Sequence, residues 1–377
     1  MRVTMVNKYY PPHLGGIEYH LRDLSEALVA RGVQVRAIVA NEGPDDVRED
    51  VNGVDVHRLS RAFAYASTPV ALAMPMAIRA EAQRPDPADV LHLHFPYPWG
   101  ETSWLRAKAG VPTVVTYHSD IVRQRVMLAA YRPFLRSFLD KVDLVIASSP
   151  NMVEYSPFLA PIADKCRVVP YGIDVDRYAP NEATDARAAE LRAGHERPIV
   201  LFVGRLIYYK GADVLVRAMA DVDADLVIVG RGPLEGELRQ IASAAGTLDR
   251  VTFLPPLPDD ELRAWYRAAD VFCLPSVARS EAFGLVQLEA HASGVPTVST
   301  TLTTSVPFVN QNGVTGLTVP PGDVTALAQA LQTLVTDDDL RRTLGEQALE
   351  RVRRDFTIGR MVEDTVRVYE EAMRRRA

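Results

Sequence analysis

Val271-Phe272-Cys273-Leu274, followed after a short loop by Ser280-Glu281-Ala282-Phe283-Gly284-Leu285-Val286-Gln287-Leu288-Glu289-Ala290-His291-Ala292-Ser293-Gly294-Val295-Pro296 and then Thr297-Val298-Ser299, reads as strand, helix, strand. The first run is continuously apolar rather than alternating, as in strands buried on both faces of a parallel sheet. Two carboxylates lie eight positions apart in this unit, Glu281 in the loop ahead of the helix that Gly284 opens and Glu289 about a turn inside it. A helix start leaves backbone N–H groups unpaired and carries positive partial charge, so this turn invites a phosphate. Two acids beside a phosphate seat make electrostatic sense only if they hold something neutral and rich in hydroxyls, such as a sugar or a ribose.

The same grammar extends in both directions. In the first half, residues 3–6, 35–39, 90–93, 113–116, 144–147 and 167–169 read as short buried strands; in the second, 199–203, 226–229, 251–254, 271–274, 297–299 and 317–319 do so, with helical patterns between most of them. Alternating strands and helices predict an α/β fold with parallel sheets. At 377 residues the chain exceeds the size at which single cores stop growing, so two Rossmann-like, doubly wound domains are expected. The boundary falls near Tyr171-Gly172-Ile173-Asp174, and the polar, Ala-rich stretch from 180 to 198 reads as a hinge. This gives an amino-terminal domain over 1–173 and a second over 174–357, with a final helix near 358–375. Sheets of this kind bind ligands outside the carboxyl ends of their strands, so two such sheets predict a cleft between the domains.

Composition narrows the function classes. Hydrophobic residues make up 47% and charged residues 24%, an ordinary globular balance. No signal peptide is read at the amino terminus, and the apolar stretch 62–80 is broken by Pro69 and Pro75. Cys166 and Cys273 form no metal or redox spacing, so a reduced, cytoplasmic setting is expected. Residues 1–173 carry 19 Lys and Arg against 18 Asp and Glu, so the chain's net charge of −6 resides in the second half. Within the first half, the segment 120–141 holds Arg123, Arg125, Arg132, Arg136 and Lys141 among apolar residues. A solvated helix face is its plainer account; the sharper one is a surface for an anionic acceptor or for peripheral contact with the inner face of a membrane. Overall acidity, with no basic stripe interleaved with aromatics, excludes a nucleic-acid partner.

Four further constellations carry chemistry. Gly15 and Gly16 follow the first strand behind Tyr9-Tyr10-Pro11-Pro12-His13-Leu14 and precede a helix reaching about residue 31, where their backbone can approach a diphosphate. Gly204-Arg205-Leu206-Ile207-Tyr208-Tyr209-Lys210-Gly211 follows the first strand of the second half. Arg205 offers a planar fork of donors and Lys210 a mobile point charge, together suited to a diphosphate leaving group. His118 ends the strand before Ser119-Asp120, at an edge where an imidazole can meet a sugar hydroxyl or receive a proton; His92 and His94 read as structural. Arg231, in Val229-Gly230-Arg231-Gly232-Pro233, and Leu254, in Thr252-Phe253-Leu254-Pro255, end strands where a base would lie.

Taken together, Glu281-x7-Glu289 with its Phe-Gly-Leu-Val and Ala-Ser-Gly-Val-Pro surroundings, Gly-Arg-Leu-x3-Lys-Gly and the Gly15-Gly16 loop resemble the retaining glycosyltransferases of the GT-B fold in family GT4. The resemblance covers essentially the whole chain and is most specific in the second half. It implies that the first domain takes the acceptor, that the second takes the donor, and that the last helix crosses back onto the first domain. It also implies retaining, metal-independent transfer of a hexosyl unit from a nucleotide diphosphate sugar to an acceptor hydroxyl, with no cofactor and no metal ion. On this reading Glu281 holds the donor sugar, Glu289 the ribose, Arg205 with Lys210 the diphosphate, and the backbone of Phe283, Gly284 and Leu285 completes the phosphate seat; Gly15, Gly16, His118, Arg231 and Leu254 line the rest. The opening Asn7-Lys8-Tyr9-Tyr10-Pro11-Pro12 looks like bacterial rhamnosyl and mannosyl transferases, which favours GDP-mannose as donor and a UDP-hexose second. The acceptor is a saccharide, a lipid-linked precursor or a small metabolite. Thr301-Leu302-Thr303-Thr304-Ser305 departs from the Gly-Gly-acid of many relatives, and Ser119 stands where many have an Asp. A nucleotide-sugar epimerase of related fold and a catalytically silent sugar-nucleotide binder are the alternatives.

Overall fold

The computed structural model describes residues 1–12, 15–65, 68–121 and 125–376, and no side chain from 122 to 130. The chain divides into two compact units, Met1–Gly172 with Ile358–Ala377, and Ile173–Thr357.

In the first unit eight strands form one sheet, in the spatial order Cys166–Val168, Leu144–Ala147, Thr113–Tyr117, Val90–Phe95, Arg2–Val6, Gln34–Ala40, Val54–Leu59 and Val47–Val51. All neighbours are parallel except the last pair. That antiparallel hairpin was not read from the sequence, because Val47-Arg48-Glu49-Asp50-Val51 is charged and mostly exposed at the sheet edge, with no apolar run to betray it. The stretch 62–80 becomes a two-stranded ribbon, Phe63–Tyr65 with Thr68–Val70, and the helix Met74–Glu81.

The last helix, Ile358–Arg376, belongs to this first unit. Met361, Val362, Val368, Tyr369 and Ala372 join one core with Val3 and Met5 of the sheet and with Leu21, Leu24 and Leu28 of the helix Gly16–Ala30. Each such buried aliphatic side chain is worth about 1.5–3 kcal/mol in apolar burial. The hydroxyl of Tyr369 lies 2.7 Å from His92 Nδ1, whose Nε2 meets the Thr116 hydroxyl at 2.7 Å. His92 therefore fastens this helix to the sheet, the structural role read for it.

The second unit carries six parallel strands in the order Val251–Leu254, Asp225–Val229, Ile199–Val203, Val271–Leu274, Thr297–Thr300 and Gly316–Val319. Both faces of Ile199–Val203 are covered. Val200 and Phe202 pack with Leu215, Leu238 and Leu331, while Ile199, Leu201 and Val203 pack with Trp265, Tyr266 and Ala290. The stretch read as a hinge is instead mostly helix, Glu182–Ala193, capped by Asn181, whose side chain accepts from Thr184 N. It lies along the helix Asp259–Ala268, joined by Arg187 to Glu261 at 2.8 Å and Arg267 to Asp185 at 3.0 Å. Of its residues only Ala188 is buried, so hydrophobic periodicity could not reveal it.

In both units the chain builds one side of the sheet, returns across its first strand and builds the other. The reversal falls between Ile199–Val203 and Val271–Leu274 in the second unit and between Arg2–Val6 and Val90–Phe95 in the first. Loops leaving two such strands diverge, opening a crevice at the carboxyl edge.

Candidate active site

At the reversal point of the second unit the loops after Val203 and Leu274 lie side by side. Val277 N donates to Tyr209 O at 2.8 Å. Gly211 turns the chain with φ +68°, and a Cβ there would collide with the Pro275 carbonyl, so this close approach requires glycine. The pairing brings Lys210 Nζ to 2.6 Å from Glu281 Oε2, with side chains only 12% and 9% exposed. Ser276 Oγ donates to the same carboxylate oxygen at 3.2 Å, and its own carbonyl accepts from Thr300 Oγ1 at 2.6 Å. Arg205 is exposed and reaches Tyr209 Oη at 3.5 Å, while Lys210 Nζ stands 5.8 Å from the centre of the Tyr209 ring. Both cations thus border one tyrosine at the mouth of the crevice.

The helix behind Glu281 spans Leu285–Ala292. Gly284 precedes it with φ +74°, and a Cβ would lie 2.6 Å from Leu274 Cδ2 and 2.8 Å from Gln287 Nε2. Phe283 is buried against Phe356. Glu289 accepts a hydrogen bond from the Tyr266 hydroxyl at 2.7 Å. Burial raises its carboxyl above the usual range, opposed chiefly by that hydrogen bond. Tyr178, whose ring meets Tyr266 at 6.3 Å, lies close enough to feel the same charge.

The strand ends beside this crevice are stitched by backbone. Gly204 N donates to Val229 O, Gly230 N to Leu254 O and Leu206 N to Arg231 O. Arg231 and Leu254 therefore share the carboxyl edge with Arg205. The Thr-rich departure also lies here. Ser305 N donates to Ala282 O at 2.8 Å, and Thr303 Oγ1 accepts from Arg279 at 2.8 Å. Sequence reasoning did not single out Arg279, Ser276 or Tyr266; no spacing ties them to the acids, because only folding brings them there.

In the first unit the edge is lined by histidines. His118 Nε2 lies 2.9 Å from His94 Nδ1, and His118 Nδ1 lies 2.6 Å from the Tyr171 hydroxyl. His20, from the helix Gly16–Ala30, packs edge-on to both rings. Burial holds His20 at about 4 and His94 and His118 well below the usual imidazole value, so all three are neutral near pH 7. In this arrangement both nitrogens of His118 have partners. His94, read as purely structural, is its direct partner. Asp120 accepts from Tyr117 Oη and Ser156 Oγ. Gly15 caps the helix in an extended conformation, and the Glu18 carboxylate lies over it where a Cβ would sit. His13 and Leu14 of that loop lie outside the described residues, as do Val122–Gln124 of the basic segment and the Arg125 side chain. Of the rest of that segment, Leu135, Phe138 and Leu139 are buried and Arg132 lies over the Phe158 ring.

Residues 184–351 match the family described as Glycosyl transferases group 1, and residues 14–177 match Glycosyltransferase Family 4. The chain is 36% identical to O-antigen chain mannosyltransferase C of Escherichia coli over 98% of both chains. It is 37% identical to D-rhamnosyltransferase WbpZ of Pseudomonas aeruginosa over 95% of this chain and 92% of that one. Among solved structures, sucrose-phosphate synthase from Thermosynechococcus elongatus superposes with a TM-score of 0.82 at 27% identity, covering 99% of each chain. Two parallel, doubly wound sheets with the Lys210–Glu281 crevice at a reversal point, and this likeness along the whole length, lead to one conclusion: the chain belongs to glycosyltransferase family 4 and is a glycosyltransferase of the GT-B fold.

Proposed function

We propose that this enzyme transfers a hexosyl unit, with retention and without a metal ion, from a nucleotide diphosphate sugar to an acceptor hydroxyl. GDP-mannose is the first donor to test, in keeping with relatives named as a mannosyltransferase and a D-rhamnosyltransferase, and a UDP-hexose the second. The acceptor is a saccharide, free or lipid-linked. The observation that carries this reading is the buried Lys210–Glu281 pair at the reversal point.

A diphosphate entering the crevice competes with Glu281 for Lys210, and the freed carboxylate then accepts hydroxyls of the donor sugar. Arg205 and Lys210 absorb the charge that grows as the sugar–phosphate bond breaks. The acceptor oxygen bonds to the anomeric carbon on the face the diphosphate leaves, and its proton passes to the departing phosphate oxygen. Glu289 takes the ribose hydroxyls, the backbone of Phe283, Gly284 and Leu285 takes a phosphate at the helix start, and Arg231 with the Leu254 strand end borders the base. A phosphate approaching the Gly15 and Gly16 backbone requires the Glu18 carboxylate to move aside. His118 takes no proton in this reading, and Tyr171 or His94 must release it before it meets a sugar hydroxyl.

The test is a thermal-shift screen of GDP-mannose and UDP-hexoses, followed by turnover in EDTA. A donor at 100 times its dissociation constant should add about 2.7 kcal/mol of stability. Turnover lost to chelator and restored by a divalent ion would overturn the metal-free mechanism, and no shift with any nucleotide sugar would overturn the donor reading.

A further inference from the structure

We propose that Tyr171 is a latch on His118: its hydroxyl holds the imidazole in the resting chain and gives the nitrogen up to a hydroxyl of the donor sugar, while His94 keeps the ring in place. Tyr171 and His94 are thus positioning residues. The latch acts in the proposed transfer from a nucleotide sugar and rests on that reading.

Four elements of the first unit meet here, at the carboxyl ends of its strands, where such sheets take their ligands. His118 follows the strand Thr113–Tyr117, His94 lies next to the end of Val90–Phe95, Tyr171 follows Cys166–Val168, and His20 comes from the helix Gly16–Ala30. His94 Nδ1 and His118 Nε2 are 2.9 Å apart, and their ring planes differ by only 16°. The ring centroids stand 5.2 Å apart, which is the nitrogen–nitrogen distance plus two ring radii, so the two nitrogens meet head-on in nearly one plane. This is the best geometry a hydrogen bond between imidazoles can have.

Of the two partners, Tyr171 is the one built to let go. His94 is buried in a strand, and its ring stacks at 4.5 Å on His92, which Tyr369 and Thr116 clamp at 2.7 Å on either side. Tyr171 stands in the loop Val169-Pro170-Tyr171-Gly172, with its hydroxyl 2.6 Å from His118 Nδ1 at the far end of a side chain that turns about two torsions. Leaving His118 does not strand that hydroxyl, because Ser148 also hydrogen-bonds it. A sugar hydroxyl offers the same donor and acceptor as the phenol, so it can replace it on Nδ1 in either tautomer of the ring. Burial keeps His118 neutral near pH 7, and the exchange moves no charge.

Calorimetric titration of the full chain with GDP-mannose and with GDP, which lacks the sugar, tests the latch; UDP-glucose and UDP serve in the same way if GDP-mannose does not bind. Tyr171→Phe keeps the ring that packs on His20 at 4.5 Å and removes only the hydroxyl. With no latch to displace, it should bind the sugar nucleotide about two- to tenfold more tightly, the worth of one neutral hydrogen bond, and the sugar-free nucleotide as the parent does. Its KM for the donor should fall with kcat unchanged, because the latch is already open in the bound complex. His94→Phe keeps the stack on His92 but frees the His118 ring, and should bind the sugar nucleotide about tenfold more weakly with the sugar-free one unaffected. His94→Asn, whose amide reaches the place of Nδ1, should restore most of that loss. In the parent, the nitrogen chemical shifts of the His118 ring should move with the sugar nucleotide and not with the sugar-free one. The latch alone is overturned if Tyr171→Phe binds the donor no more tightly than the parent, or if both ligands move the ring signals alike. His94→Phe weakening both ligands equally would overturn the part given to His94. If the parent binds no nucleotide sugar, the donor reading falls and the latch with it.

Discussion

Lys210 and Glu281 neutralise each other in a site shielded from water, so each is held ready without the cost of a lone buried charge. If Lys210 and Arg205 stabilise charge that grows in the transition state, Lys210→Ala and Arg205→Ala should each lower kcat by roughly 100- to 1,000-fold, more than they weaken donor binding. Steady-state kinetics beside calorimetric titration of donor separates the two effects, and normal turnover with weakened binding would refute the role. The two acids should fail differently. Glu289→Gln should weaken free nucleoside diphosphate and intact donor alike by roughly 1.5–3 kcal/mol, because both carry ribose. Glu281→Gln should spare the free nucleotide and harm only the sugar-bearing donor and turnover. Identical titration patterns for both variants would end the division of labour. Because burial raises the Glu289 carboxyl, nucleotide affinity should also begin to fall, on acidification, at a higher pH than an ordinary carboxylate would produce.

The loop 275–284 and the helix Leu285–Ala292 form the element on which this chemistry depends, and Gly284 sets how one enters the other. Gly284→Ala forces a side chain into a left-handed turn against Leu274 and Gln287, at roughly 1–3 kcal/mol. Its melting temperature by calorimetry should drop accordingly, with weaker nucleotide binding; an unchanged melting temperature would mean the turn is not constrained. Elements of this kind were legible in the sequence because parallel strands covered on both faces are plain apolar runs, as Ile199–Val203 and Val271–Leu274 are. Where burial is slight the signal fails. The hairpin Val47–Val51 with Val54–Leu59 shows charges along its outer strand, and Glu182–Ala193 is held by a cap and ion pairs rather than an apolar stripe. In the site, residue types and spacing brought Lys210 and Glu281 to notice, but not the contact between them. Nor could they show that Tyr171 and His94 occupy both nitrogens of His118, since those partners lie 53 and 24 residues away.

Across the whole molecule, buried titratable groups set the response to pH. His20 is held at about 4, His92 and His291 at about 3, and His94 and His118 well below the usual value, all by burial. Between those values and about 6.5 the unfolded chain binds more protons than the folded one, so stability should fall steadily as pH drops through that window. Glu101, raised by burial to about 8, acts in the opposite sense: it is protonated when folded and ionised when unfolded from about 4.5 upward, so it erodes stability as pH rises toward 8. Glu289, whose carboxyl burial also raises, acts in the same sense as Glu101; five histidines outweigh the two acids below 6.5, and above it the acids act alone among these groups. Urea midpoints measured from pH 4 to 8 should therefore peak near 6.5, and a midpoint that rises continuously toward pH 4 would contradict this account.

The first unit is discontinuous in the chain, because its core closes only when Met361, Val362 and Tyr369 arrive. A ribosome delivers residues in order, so the strands of this unit wait, with one flank of their apolar surface uncovered, until the helix Ile358–Arg376 has been made. The second unit, uninterrupted from Ile173 to Thr357, has all its parts before then. The half begun first is thus the half finished last, and during that interval its bare flank is the surface a chaperone would meet.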